Sequence, residues 1–312
     1  LNINSSSYRG AGVTSAGSGV GGLLGQNLYR DTYIRNSYVT IAGATGVQGT
    51  FYVGGMVGYN GATLTIQSDS SNTGLYGAAL SPYSNAKVTG TTASGSNAYI
   101  GGIAGYVGAY STMSNISVTA SSITGVGNYV GGVVGGTTTV GYTESFNYIT
   151  VNVPTITGNG SYVGGIIGYG PYVDISNSSV NATISSTGTA LNKRFFGGLI
   201  GDASSRATIS NSYAVGNITI SGTGAGTGFV GGLVGRMGSS GSTLGGSIQN
   251  AYYDGDISTD ANAVKLTPIP AERENASEHS FRFDDGASLP AGRFLYIRVD
   301  KGLKMRRYMP KA

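Results

Sequence analysis

Apolar and polar residues alternate along this chain in short segments, and the segments recur. The most regular segment has an apolar residue, two glycines, two more apolar residues and a closing glycine. It occurs seven times, as GVGGLLG, YVGGMVG, YIGGIAG, YVGGVVG, YVGGIIG, FFGGLIG and FVGGLVG. Glycine inside a strand pattern marks a sharp bend or the close approach of another backbone.

The spacing of the motif predicts the fold. Its glycine pairs are separated by steps of 33, 47, 30, 33, 33 and 34 residues. A second strand-like segment, such as ISNSSVNATI (175–184), precedes each pair. Two strand segments per period are typical of one coil of a β-solenoid, in which successive coils pair through backbone hydrogen bonds. We therefore predict an all-β parallel β-helix of about seven to eight coils over residues 1–260, followed by a short C-terminal β-strand tail.

In such a solenoid, equivalent residues of successive coils form columns parallel to the long axis. The residue before each glycine pair is large and apolar and is expected to face the core. The long step of 47 residues is expected to hold an inserted loop at 61–82. A further column is expected to bond the backbone and the next coil through its side-chain amides: Asn36, Asn85, Asn115, Asn147, Asn177, Asn211 and Asn250.

Composition and charge exclude several classes of site. The 312 residues contain no cysteine, so a disulfide, a thiolate zinc site and a cysteine nucleophile are excluded. Residues 1–264 carry eight basic and eight acidic residues, so the net charge of +4 lies in the remainder of the chain. No apolar run approaches the roughly 20 residues of a membrane helix. We expect no cofactor, no nucleic-acid partner and no membrane span.

Two columns beside the glycine motif are candidates for contact with a ligand or partner. Six coils carry an aromatic residue two positions before the glycine pair: Tyr52, Tyr99, Tyr129, Tyr162, Phe195 and Phe229. Strict alternation places this column on the outer face, where it would stack on sugar rings or form a self-stacked ladder under the loops. A chemically mixed column after the motif is expected to be exposed, and it contributes Tyr59, Tyr106 and Tyr169.

Catalytic chemistry has little support in the sequence. The only histidine, His279, lies in the tail with no serine or cysteine motif around it. Asp254 and Asp256 are weak candidates for a calcium site or for the acid pair of a β-helical glycosidase, although DGD is first of all a turn sequence. The threonines show no repeat from coil to coil, so we do not expect the regular array that binds ice. We predict that the protein is not an enzyme and holds no metal.

The C-terminal segment, 261–312, departs from the repeat. LTPIPAERENASEHS (266–280) has the prolines and mixed charges of a linker. SFRFDD (280–285) and GRFLYIRVD (292–300) alternate like two strands, which alone would be marginal in water and should dock elsewhere. The predicted contact residues for capping or assembly are Phe281, Phe283, Phe294, Leu295, Tyr296, Ile297 and Val299, together with the basic Arg306 and Arg307.

The glycine motif with its upstream NSY-type segment resembles the GLUG repeat of bacterial surface adhesins and of non-catalytic regions of secreted peptidases. The resemblance covers residues 1 to about 260 and implies a β-helical extracellular stalk or adhesin region without catalytic residues. We accordingly predict a non-catalytic extracellular element of a surface stalk or self-assembling fibre, which associates end to end or through its tail. The alternative is a glycan-binding adhesin, or a phage-type receptor-binding or carbohydrate-active β-helix.

Overall fold

The chain folds as an all-β parallel β-solenoid of about six turns. The computed structural model describes residues 1–68, 79–80, 87–91, 97–127, 129–137, 141–160, 162–186, 193–221, 227–237 and 246–259. Within these ranges there is no helix, and hence none that could span a bilayer. The predicted fold class is confirmed. Each of the two smaller sheets stacks seven strands, and one turn of the chain separates each strand from the next. The chain therefore makes about six turns, slightly fewer than the seven to eight coils expected.

Each coil contributes three successive arms to an 18-stranded sheet. Strands confined to the first arm are Asn2–Asn4, Thr32–Arg35, Leu64–Gln67, Tyr172–Ser176, Arg206–Ser210 and Ser247–Gln249. Strands confined to the second arm are Ala79–Leu80, Tyr213–Val215 and Tyr252–Asp254. Strands confined to the third arm are Lys87–Gly90, Ser122–Gly125, Ile218–Ile220 and Ile257–Thr259. Strands that continue from one arm into another are Ser7–Thr14, Tyr38–Gly49, Thr112–Thr119, Glu144–Gly158 and Ser179–Ser186.

The glycine motif builds two further sheets of seven strands each. The strands before the glycine pair form what we call the entry sheet: Gly19–Gly21, Tyr52–Gly54, Tyr99–Gly101, Tyr129–Gly131, Tyr162–Gly164, Lys193–Gly197 and Thr227–Gly231. The strands after it form the closing sheet: Leu24–Asn27, Val57–Asn60, Ala104–Val107, Val134–Gly136, Ile167–Tyr169, Ile200–Ala203 and Val234–Met237. The glycine pair therefore turns the chain from one sheet to the other.

Glycine is required in this motif because the entry and closing sheets touch backbone to backbone. A Cβ atom on Gly135 would lie 2.5 Å from the backbone nitrogen of Ile100 and 2.6 Å from the carbonyl oxygen of Gly105. A Cβ atom on Gly131 would collide with the carbonyl oxygen of Val134 in its own coil. Neither obstacle is a side chain that could rotate away, so the close approach permits no larger residue.

The core contains the predicted apolar columns. Val130 pairs in register with Ile100 on one side and Val163 on the other. The residues before the glycine pair are at most 3% exposed, namely Val20, Val53, Ile100, Val130, Val163, Phe196 and Val230. These apolar side chains form part of one buried cluster that runs the length of the solenoid. The prediction that equivalent residues lie over one another is confirmed.

The asparagine column occupies the corner between the first and second arms, where the backbone has positive φ. The residues concerned are Asn36, Asn115, Asn177, Asn211 and Asn250. Asparagine tolerates this left-handed conformation better than other non-glycine residues. The Nδ2 atom of Asn211 donates to Oδ1 of Asn177, and that of Asn250 donates to Oδ1 of Asn211. The predicted register-holding ladder is thus present along this part of the corner.

Two members of the predicted asparagine column need comment. Asn147 pairs with Ser114 and Ser176, one residue before the corner, and the corner residue with positive φ in its coil is Tyr148. Asn147 therefore lies one residue before the corner, because spacing from the glycine pair does not identify the residue that turns it. Its Oδ1 atom nevertheless accepts a hydrogen bond from Nδ2 of Asn177 at 2.9 Å, so Asn147 takes part in the predicted ladder. Asn85 lies outside the described residues.

The 47-residue step differs from the single loop expected at 61–82. Leu64–Gln67 is a regular first-arm strand that pairs with Thr32–Arg35 and Thr112–Thr119. Ala79–Leu80 and Lys87–Gly90 return to the register of the solenoid. Compared with the preceding coil, the additional residues therefore fall between Gln67 and Ala79 and between Gly90 and Tyr99. Segments 69–78, 81–86 and 92–96 lie outside the described residues, as does the predicted tail, 261–312.

Candidate functional site

The predicted aromatic column is a continuous stack along the entry sheet. Ring centroids of successive members lie 4.3 Å apart for Tyr99 and Tyr129, and 4.8 Å apart for Tyr129 and Tyr162. The stack continues from Tyr52 to Tyr99 and from Tyr162 through Phe195 to Phe229. Such ring pairs contribute about 0.5–1.5 kcal/mol each beyond burial. The column therefore stabilises the stacking of coils whatever else it does.

The second aromatic column, from the closing sheet, packs against the first. Tyr52 contacts Tyr59 edge to face at a centroid distance of 4.8 Å. Tyr99 contacts Tyr106 at 5.2 Å, and Tyr162 contacts Tyr169 at 5.3 Å in the same manner. The two candidate columns thus form a single aromatic cluster where the closing strand folds back over the entry strand.

The first column is thus the self-stacked ladder that was one of the two alternatives, and rings of the closing sheet pack against it. Tyr99 and Phe195 are only 4% and 1% exposed, whereas Tyr52, Tyr129, Tyr162 and Phe229 are partly exposed. Alternation along a strand identified the side of the sheet correctly, but it contains no information about another strand lying against that side. Contact of the partly exposed rings with a ligand stays a prediction.

Burial also sets the chemistry of the tyrosine hydroxyls. It raises the pKa of Tyr162 to about 12, and it raises the pKa of Tyr52, Tyr59, Tyr99 and Tyr129 above the ordinary value. The hydroxyls are therefore neutral at physiological pH. They can act as hydrogen-bond donors but not as anionic nucleophiles or bases.

The mixed column is not uniformly exposed, contrary to expectation. Beyond Tyr169 it continues as Asp202 and Arg236, and Asp202 is fully buried. The Nε atom of Arg236 donates to Oδ1 of Asp202 at 2.8 Å, and its guanidinium lies 4.1 Å from the centroid of the Phe195 ring. Burial lowers the pKa of Arg236, but the hydrogen bond and charge of Asp202 outweigh this effect and raise it overall. The charge-assisted hydrogen bond between Arg236 and Asp202 thus lies at one end of the aromatic cluster.

Glu144 is a buried acid that the sequence analysis missed. Its side chain is 0% exposed, at the start of a strand whose buried residues alternate with partly exposed ones. Burial raises its pKa from 4.5 to about 8. Neither carboxylate oxygen has a hydrogen-bond partner among the described residues. The alternation of ESFNYIT (144–150), which places Glu144 on the same side as Phe146, was the signal that could have identified it.

The weak metal candidates lie apart from any further ligand set. Asp254 and Asp256 are exposed, and their backbone carbonyls accept hydrogen bonds from Gly216 and Ile218 of the preceding coil. Within the described ranges, no three metal-ligating side chains cluster. The arrangement is that of a turn held by its neighbouring coil. His279 lies outside the described residues.

The third arm corrects the expectation about threonines. Thr89 pairs in register with Thr124, and Thr124 with Thr157. The column continues through Ser185 to Thr219. Its repeat was hidden because the coils differ in length, so counting residues along the chain misaligns the hydroxyls. The Oγ1 atom of Thr157 is 2.9 Å from Oγ of Ser185, so these two hydroxyls of the column hydrogen-bond to each other.

The second arm carries exposed aromatic residues that the sequence analysis also missed. Tyr213 and Tyr252 stack at a centroid distance of 5.0 Å with planes 5° apart, and they are 37% and 40% exposed. Tyr148, at the corner of the same arm, is 56% exposed. The sequence analysis used the NSY and NAYYDG segments (211–213, 250–255) for other features and did not single out their tyrosines, although these recur at the same spacing from the asparagines.

Comparisons with known proteins identify no relative. No family model, no curated protein and no solved structure matches the chain significantly. The assignment to a β-solenoid therefore depends on the geometry of the chain itself.

Proposed function

We propose that this chain is a non-catalytic structural element of an extracellular surface stalk or adhesin. The observation that carries the proposal is the continuity of its columns. Core apolar residues, corner asparagines and stacked aromatic rings extend from coil to coil. A rigid rod of this kind can hold an attached domain away from a surface. Continuous columns make the rod rigid, because every coil is packed and bonded to the next in the same way.

The β-solenoid fold is compatible with a structural or adhesin role. Seven stacked strands at the usual spacing of about 4.8 Å give a rod on the order of 30 Å long. The balanced charge of residues 1–264 and the resemblance of the glycine motif to the GLUG repeat of surface adhesins also support the proposal.

The proposal includes self-association through the ends or through the C-terminal segment. Rows of unpaired backbone groups at a solenoid end are a template for further strands, and they require a cap or a partner. The alternating segment GRFLYIRVD (292–300) has the composition of a strand that could serve in this way.

Two experiments test the proposal on the full chain. Immunolabelling of intact source cells should detect the protein without permeabilisation, and labelling that requires permeabilisation would contradict an extracellular stalk. Light scattering and negative-stain microscopy over a concentration series should show end-to-end multimers. Phe294→Asp and Ile297→Asp should reduce their size, whereas Ser288→Asp, in the connection, should not. A strictly monomeric wild type would remove the assembly part of the proposal.

A further inference from the structure

We propose that the outer face of the second arm carries a binding site for a neutral oligosaccharide, in which Tyr148 and Tyr213 provide the sugar-contacting rings. This role is separate from the structural one, because none of these residues belongs to the aromatic cluster of the glycine motif. The site consists of the outward residues of three successive coils, which we call the second-arm grid: Tyr148, Thr150 and Asn152; Asn177, Ser179 and Asn181; Asn211, Tyr213 and Val215.

Tyr148 occupies a corner position at which the neighbouring coils have asparagine, and so it interrupts the corner asparagine column. It has φ of 54°, whereas the next two coils have Asn177 and Asn211 at this position. A bulky residue in the left-handed region is strained, and such strain is retained where another requirement outweighs it. The ring is also 56% exposed, so it is not retained for packing in the core.

Tyr213 forms a wall across the same face. One side of its ring is covered by the parallel ring of Tyr252 in the following coil. The preceding coil has Ser179 at the equivalent position, and the coil before that has Thr150. Because these side chains are small, the other side of the Tyr213 ring borders a shallow trough. An exposed aromatic face of this kind is suited to the apolar face of a sugar ring.

The floor and far edge of the trough provide hydrogen-bonding groups. Thr150 and Ser179 offer hydroxyls, and the Nδ2 atom of Asn181 donates to Oδ1 of Asn152 at 3.2 Å. Both amides are exposed and have further donors and acceptors, which match the hydroxyls of a sugar. Tyr148 and Tyr213 are two coils apart along the axis, about 9.6 Å at the usual strand spacing. This separation suits a ligand of two or more sugar units.

Charge selects the class of ligand. All nine residues of the second-arm grid are uncharged. An acidic glycan or a nucleic acid would meet no cation among these nine residues and would adjoin the exposed carboxylate of Asp254, which pairs with Val215. A neutral glycan leaves no charge unpaired. A neutral polyhydroxylated ligand therefore fits the combination of exposed rings, hydroxyls and amides best.

Binding of the full chain to an array of neutral and acidic oligosaccharides tests the proposal. We expect retention of at least one neutral oligosaccharide and no preference for sialylated or sulfated ones. Tyr148→Asn restores the corner asparagine and Tyr213→Ser restores the residue type of Ser179, so both variants should fold. Each should weaken binding by about tenfold, the loss of one ring contact. Tyr33→Ser, which removes a tyrosine of similar exposure on the first arm, should bind as the wild type does.

A variant that adds a side chain to the trough tests the proposal without removing either tyrosine. Ser179→Tyr would extend the stack of Tyr213 and Tyr252 into the trough, so it should abolish binding while maintaining or raising the melting temperature. The proposal is overturned if the wild type retains no neutral oligosaccharide, if acidic ones are preferred, or if Tyr148→Asn, Tyr213→Ser and Ser179→Tyr all bind as the wild type does. None of these results bears on whether the rod is extracellular or self-associates.

Discussion

Arg236 and Asp202 face each other across two neighbouring coils, with the guanidinium donating from Nε and Nη2 to a fully buried carboxylate. The pair lies at the end of the aromatic cluster, beside the ring of Phe195. Since a carboxylate without its partner would be costly at this depth, the bond ties the last coils of the closing sheet together.

Replacing Arg236 with methionine should therefore destabilise the protein by about 2–3 kcal/mol. This is somewhat less than the 3–5 kcal/mol typical of a buried pair, because the Arg236 side chain is 27% exposed and water can partly compensate. Denaturant unfolding of both proteins measures the difference. The double variant Asp202→Leu with Arg236→Met should recover much of the loss, and a single variant as stable as the wild type would contradict the pairing.

Glu144 should make the stability depend on pH. Burial raises its pKa to about 8 in the folded chain, from 4.5, so the unfolded chain releases this proton first as pH rises. The resulting stability is complete below about pH 4.5 and is lost between pH 4.5 and 8, at up to about 1.4 kcal/mol per pH unit. Denaturant midpoints at pH 5, 6.5 and 8 measure this slope.

Glu144→Gln is the matched variant for that experiment. It retains the shape but cannot ionise, so its midpoint should change much less between pH 5 and 8. Asp174→Asn, which alters a partly exposed acid paired with Arg206, should leave the slope of the wild type in place. An equal slope in Glu144→Gln and the wild type would show that another group is responsible.

Gly135→Ala should destabilise the solenoid by about 3 kcal/mol or more, at the upper end of overpacking effects. The added Cβ would lie within 2.6 Å of backbone atoms of two strands, which cannot move separately. Gly25 occupies the same motif position in the first coil, where the nearest atom would be the carbonyl oxygen of Gly19 at 3.1 Å. Gly25→Ala should therefore cost clearly less, and equal melting temperatures of the two variants would contradict the close-approach explanation.

Tyr148→Asn should raise the stability by about 1 kcal/mol. It replaces a bulky residue of φ 54° with the residue type found at Asn115 and Asn177 of the neighbouring coils, and so relieves left-handed strain. Thermal unfolding measures the gain. Tyr33→Asn, at an ordinary strand position, should give no gain, and a Tyr148→Asn variant less stable than the wild type would show that the ring contributes to packing.

The separate columns were predictable because neighbouring coils place equivalent residues in register. The glycine motif is long enough to align seven copies, and the core valines, the aromatic stack and most corner asparagines followed from it. Prediction failed where coils differ in length. The threonine column through Thr89 and Thr124, and the corner position of Tyr148 instead of Asn147, became visible only from strand pairing.

The sequence by itself determined that the chain winds into a parallel β-solenoid, because its repeat dictates which residues stack along the axis. Only the tertiary structure decided which side chains contact each other across a coil. The contact of Tyr52 with Tyr59 and the burial of Asp202 depend on how sharply each coil bends at its corners. Those bends result from packing of the arms and sheets against one another, and a linear spacing between residues contains no measure of them.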